Sequence, residues 1–138
     1  MAKTANGTFD AAVQGKRVFI TGADGFIGSH LTEACARAGA RVTALSCYSS
    51  FDGDGWLDDL AGDVRGEVEV VHGNVCDGDQ MRDLIDGAQI VFHLASLIAI
   101  PYSYRAPSSY VQTNVQGSLN VFQAARAGNV ERLVHTST

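Results

Sequence analysis

The stretch Thr21-Gly22-Ala23-Asp24-Gly25-Phe26-Ile27-Gly28-Ser29-His30-Leu31 constrains this chain more than any other. It follows Arg17-Val18-Phe19-Ile20, a β-branched and aromatic run suited to a buried parallel strand. It leads into a helical pattern with apolar residues at Ile27, Leu31, Ala34, Cys35 and Ala38. Gly22 can take the left-handed dihedrals of a sharp turn, Gly25 lets backbone come close to a pyrophosphate, and Gly28 lets the helix sit tightly on the strand. The amides of the first helical turn, around Phe26 and Ile27, lack intrahelical partners and carry the positive end of the helix dipole, so an anion there is favoured. The order of strand, glycine turn and helix reads as a phosphate-binding turn. The plainer reading of the same residues is a strand-to-helix connection without a ligand.

With 138 residues and 46% hydrophobic content the chain can bury one core, and 18% charged residues argue against disorder. Ten basic against fifteen acidic residues leave a net charge of -5, with no run of Lys or Arg to grip nucleic acid or an anionic membrane. Cys35, Cys47 and Cys76 have neither metal-ligand nor Cys-x-x-Cys spacing, so no metal is expected and reduced packing thiols fit best. No apolar run approaches a membrane span, and the first fifteen residues lack the order of a signal peptide. A soluble, cytoplasmic protein is the expectation.

The rest of the chain continues the alternation of strand and helix. Residues 1–15 show no strong periodicity and read as a flexible leader, with one folded domain over 16–138. Gly39 stands where a helix C-cap belongs, and Arg41 to Cys47 makes a second strand. An acid that bonds the adenosine ribose of a dinucleotide is expected near the end of that strand, at Ser46. Serine can bond a ribose hydroxyl but cannot repel a 2′-phosphate, and Cys47 to Ser50 include no Arg to attract one. The missing Arg favours NAD, with NADP left open.

Phe51 to Trp56 reads as a glycine-rich loop before a short helix with Leu57, Leu60 and Val64. Trp56 is either a lid on core or cofactor, or a contact to a partner chain. Glu67 to His72 forms a third strand, ending in Gly73-Asn74-Val75-Cys76-Asp77, and Asp77 caps a helix over Gly78 to Asp86. Gln89 to Ala95 is a fourth strand, nearly all apolar as expected when both sheet faces are covered, and it ends at Leu94-Ala95-Ser96. Small residues there permit close approach of a dinucleotide at the point where the strand order reverses. His93 reads as a satisfied structural histidine. An apolar and aromatic loop from Leu97 to Pro107 crosses the mouth of that cleft. Pro107 then opens a helix to about Ala127, whose apolar side carries Tyr110, Val111, Val115, Leu119, Val121, Phe122 and Ala125. Arg132 to Ser137 is a fifth strand. The fold class is therefore α/β, a Rossmann-type doubly wound parallel sheet in three layers, incomplete at its C-terminus.

The spacing Thr-Gly-x-x-Gly-x-x-Gly at Thr21 to Gly28, together with Asn114-x-x-Gly117, resembles the extended short-chain dehydrogenase/reductase family, the NAD-dependent nucleotide-sugar epimerases and dehydratases. The likeness covers Lys16 to Thr138. Ala95 to Tyr104, with Tyr48 to Trp56, looks most like the subgroup that dehydrates UDP- or GDP-linked N-acetylglucosamine at carbons 4 and 6. The resemblance implies a cofactor site of Gly22, Gly25, Phe26, Ile27, Gly28, Ser46, Asn74, Val75, Leu94, Ala95, Ser96 and Asn114. Asn74 stands where the family has an acid beside the adenine, and Asn114 supports the active site. It also implies a nucleotide-sugar substrate, a homodimer, and a role for Thr138 in steadying the C4 oxygen of the sugar.

The base of that family, the Tyr of Tyr-x-x-x-Lys, has no match: Tyr102, Tyr104 and Tyr110 are not followed by Lys at the fourth place, and the only lysines are Lys3 and Lys16. The expectation is the cofactor half of a longer enzyme, inactive by itself. Alternatives are a 4-epimerase or ketoreductase of the same family, and a sensor or scaffold that binds NAD(P) without turnover.

Overall fold

Five strands of a computed structural model, which describes residues 3–137, lie parallel in the order β3-β2-β1-β4-β5. They are β1 (Arg17–Thr21), β2 (Arg41–Cys47), β3 (Val68–Gly73), β4 (Ile90–His93) and β5 (Arg132–His135). Successive strand side chains point to opposite faces, so Val18 and Ile20 enter one core with Val42, Ala44 and Val68, while Phe19 enters the other with Leu45 and Val91. Cys35 and Leu57 close the first core; Met81, Ile85 and Val121 close the second. This is the three-layer, doubly wound arrangement expected of the sequence, and the strand order reverses between β1 and β4.

The seven α-helical segments among the described residues are α1 (Lys3–Val13), α2 (Phe26–Arg37), α3 (Gly62–Arg65), α4 (Gly78–Ile85), α5 (Ile100–Ser103), α6 (Pro107–Tyr110) and α7 (Gly117–Ala127). Gly39 follows α2 at φ +83°, the left-handed residue that ends a helix, and Asp77 caps α4 by accepting from the Gln80 amide at 3.0 Å.

Two elements differ from the sequence reading. Residues 3–13 are not a loose leader but the helix α1, from which Val13 enters the first core and Phe9 packs beside it. Its apolar positions are too few to show a period, and it is held by what Phe9 and Val13 cover. The helix expected from Pro107 to Ala127 is interrupted by a π turn, Val111–Gln116, in which the Gly117 amide donates to the Gln112 carbonyl five residues back. The extra residue rotates the face that follows relative to the turn itself: Val111 and Val115 within it are exposed, at 60% and 63%, while Gly117, Ser118, Val121, Ala124 and Ala125 after it are buried. The apolar side assigned from 3.6-residue spacing therefore mixes both faces. Gly117 explains where the turn falls: a Cβ there would lie 2.6 Å from Val75 Cγ2, so only a glycine lets the helix come this close to the end of β3.

Candidate functional site

The glycine turn after β1, Ser46 in β2, Asn74 after β3 and Leu94 to Ser96 after β4 all lie toward the C-terminal edge of the sheet. Gly22 has φ +68°, and a Cβ on it would lie 2.8 Å from the Ala95 amide nitrogen, so the turn after β1 presses directly on the end of β4. Gly28 is tighter still, since its Cβ would fall 2.0 Å from the Gly22 carbonyl oxygen. Gly25 is different: its φ and ψ are -80° and 169°, open to any residue, and a Cβ would meet only the Gly22 carbonyl, at 3.3 Å. Packing requires glycine at 22 and 28. At 25 the space above the turn is open, which is what a bound pyrophosphate needs. Gly25 offers no side chain to cap α2, and Phe26 and Ile27, both exposed, present the first-turn amides that have no carbonyl to bond within the helix.

Thr21 joins this turn to β4. Its Oγ1 accepts from the amides of Leu94 and Ala95, both at 3.1 Å, and lies 2.7 Å from His93 Nδ1. His93, 1% exposed, reaches Ser118 Oγ at 2.9 Å through Nε2, and Ser118 donates to the Asn114 carbonyl at 2.7 Å. Since the Ser118 proton is used on Asn114, Nε2 must carry the hydrogen, and Nδ1 accepts the Thr21 hydroxyl proton. Every polar atom of the chain Thr21–His93–Ser118–Asn114 is thus satisfied by the neutral imidazole. Burial, with the stacked His135 ring 5.2 Å away as a lesser cause, lowers the His93 pKa from 6.5 to about 4. His93 is a core histidine, and one that ties the phosphate turn to the π turn.

Asn114, on that π turn, accepts from the Leu97 amide at 2.8 Å and donates to the Leu97 carbonyl at 2.9 Å. It fixes the root of the segment after Ser96, where Tyr110 donates its hydroxyl proton to the Ala99 carbonyl and Ile98, Ile100, Tyr102 and Tyr104 stand exposed.

At the other end of the cleft, Asn74 is exposed and accepts from the Cys76 amide at 2.9 Å, at the edge of an open hollow of about 620 Å³. Val75 is buried under it, so its side chain does not reach the cleft. Ser46 is 1% exposed. Asp24, to which the sequence reading gave no role, accepts from the Cys47 amide at 3.2 Å through Oδ2 and from the Trp56 amide at 3.0 Å through its main-chain oxygen. The signal was a carboxylate inside the glycine turn. Trp56 lies edge-on to Phe26, with ring centres 5.2 Å apart. Asp54 binds both Arg65, at 3.1 Å, and His72, at 2.6 Å. Burial pushes the Cys35 thiol up to about 12, an inert packing residue. Among the described residues no group of three His, Cys, Asp or Glu is placed to hold a metal, and no helix is long and apolar enough to cross a membrane. Thr138 lies outside the described residues.

Residues 18–138 match the model of the NAD dependent epimerase/dehydratase family. The chain belongs to that family. It is 31% identical over 127 residues to a dTDP-glucose 4,6-dehydratase of Streptomyces niveus, covering 88% of this chain and 38% of that protein. It is 29% identical over 123 residues to a UDP-N-acetyl-alpha-D-glucosaminuronate decarboxylase of Bacillus cytotoxicus, covering 89% of this chain and 36% of that protein. Among solved structures, the epimerase Mth375 of Methanothermobacter thermautotrophicus superposes with a TM-score of 0.84 at 30% identity, over 100% of this chain and 40% of that one. The UDP-glucose-4-epimerase of Stenotrophomonas maltophila, solved with bound NAD, gives 0.78 at 25% identity over 89% of this chain and 37% of that one. The family member described here spans less than half the length of these relatives, and NAD is the cofactor of its family.

Proposed function

We propose that this chain is the cofactor-binding portion of a nucleotide-sugar 4,6-dehydratase. The observation that carries this is the glycine turn seated against β4 at the reversal of strand order, with the amides of Phe26 and Ile27 facing open space above Gly25. The residues present fit NAD: the two amides and Gly25 hold its pyrophosphate, the backbone of Leu94 to Ser96 borders the cleft at the end of β4, and Asn74 bonds the adenine. NAD, when bound, supplies reversible two-electron oxidation at a sugar carbon. This chain's part is to place it. Asn114 holds Leu97, so that the exposed Ile98, Ile100, Tyr102 and Tyr104 form one wall of the sugar site, and Thr138 hydrogen-bonds the C4 oxygen of the substrate.

Dehydration is read from Ala95 to Tyr104 taken with Tyr48 to Trp56, which resemble the dehydratase subgroup, while the relatives themselves span dehydratases and epimerases. The 138 residues alone bind the cofactor without turnover, because no Tyr in them is followed by Lys at the fourth place. Incubating the full-length protein with UDP-N-acetylglucosamine and NAD tests the reading by mass spectrometry and NMR of the product. A 4-keto-6-deoxy sugar supports it, a C4 epimer replaces dehydratase by epimerase, and NAD binding without any conversion across UDP-, GDP- and dTDP-sugars overturns it in favour of a non-catalytic binding module.

A further inference from the structure

We propose that the carboxylate of Asp24, supplied by the glycine turn, discriminates NAD from NADP in place of the acid that the second strand lacks. The inference rests on the dinucleotide reading given above. In sheets of this kind an acid at the end of β2 bonds the adenosine ribose, and the residue there, Ser46, is uncharged and only 1% exposed. Asp24 crosses from the neighbouring turn to fill the role. Its Oδ2 is 3.2 Å from the Cys47 amide, which puts the negative charge at the carboxyl end of β2, and its Oδ1 has no partner among the described residues. One oxygen is spent on the strand, and the other is left to accept from a ribose hydroxyl.

The position is held from three sides. The Trp56 amide bonds the Asp24 carbonyl at 3.0 Å. Gly55, at φ +60°, passes so close that a Cβ there would lie 2.6 Å from the same oxygen. These contacts fix the backbone of Asp24, and the Cys47 amide holds its carboxylate at the end of β2. Two bases near the β2–β3 edge are engaged elsewhere. His72, in register with Ser46, and Arg65 are both bound to Asp54. A 2′-phosphate arriving here meets a carboxylate, while Arg65 and His72 both face Asp54. The pyrophosphate, being common to NAD and NADP, also feels Asp24, but that repulsion cancels in the ratio of their affinities, leaving the 2′ position to decide.

Calorimetric titration of the protein and of Asp24→Asn with NAD and with NADP tests this. Asparagine keeps an acceptor for the Cys47 amide, removes the charge and replaces the ribose-facing oxygen by an NH2 donor. The wild type is expected to favour NAD by about tenfold or more, and Asp24→Asn to shrink that ratio by about tenfold, equivalent to about 1.4 kcal/mol, through both weaker NAD and tighter NADP and with an unchanged Tm. Asp24→Ser serves if the Asn variant does not fold, and the wild-type ratio should itself fall toward one as salt rises to about 1 M. Equal affinity of the wild type for the two forms, a ratio indifferent to salt, or a ratio unchanged in a folded variant each overturns the inference. No binding of either form by the wild type removes the dinucleotide reading itself, and is told apart by that.

Discussion

The buried imidazole of His93 makes stability depend on pH in a way that one substitution should erase. In the folded chain Nδ1 accepts from Thr21 and Nε2–H donates to Ser118, so protonation would force Nδ1 to become a donor facing a hydroxyl whose own proton is already directed at it. The folded pKa is correspondingly lowered from 6.5 to about 4, with burial the main cause. A depressed histidine pKa means that the unfolded chain takes up the proton first. The stabilising effect is therefore whole above about pH 6.5 and is lost as pH falls toward 4. With these two values, linkage gives a loss of about 2 kcal/mol by about pH 5 and about 3 kcal/mol by about pH 4, a large share of the ~5–15 kcal/mol that holds a domain folded.

His93→Gln is the comparison. The amide still donates to Ser118 but does not titrate, and losing the acceptor for Thr21 costs about 1–2 kcal/mol at neutral pH. Urea unfolding followed by circular dichroism, repeated across this pH range, isolates the effect, because the carboxylates titrate alike in both proteins. The stability difference between wild type and variant should narrow as pH falls and change sign by about pH 4.5. A difference that stays constant over the window, or an NMR titration placing His93 near 6.5, would refute the neutral hydrogen-bond chain.

Three further substitutions separate packing from binding. Gly28→Ala puts a methyl 2.0 Å from the Gly22 carbonyl, where only backbone could yield, and is expected to lower Tm sharply, with a loss of ~3 kcal/mol or more. Gly25→Val, by contrast, should leave Tm within a few degrees while abolishing NAD binding in calorimetry; unchanged affinity would show that the pyrophosphate does not sit there. Thr32, on α2, buries Oγ1 without a partner among the described residues, so Thr32→Val should raise stability by about 1 kcal/mol in urea unfolding, and a loss instead would mean that the hydroxyl has a partner.

Local chemistry was enough to determine the glycine turn, the β-α-β alternation and the family, because each depends on residues close in sequence: Arg17 to Gly28 need only one another to form a strand, a turn and a helix start. The apolar runs at Arg41 to Cys47 and Gln89 to Ala95 likewise announced buried parallel strands, since both of their faces are covered. Tertiary structure decided what no local period carries. The π turn at Val111–Gln116 arises where Gly117 meets Val75, some forty residues earlier in the chain, and it turns Val111 and Val115 out to solvent against their helical spacing. The leader became a helix because Phe9 and Val13 find a core assembled from later strands. The bond between Asp24 and the Cys47 amide has the same origin: the end of β2 comes within reach of the glycine turn only after β1 and β2 have paired.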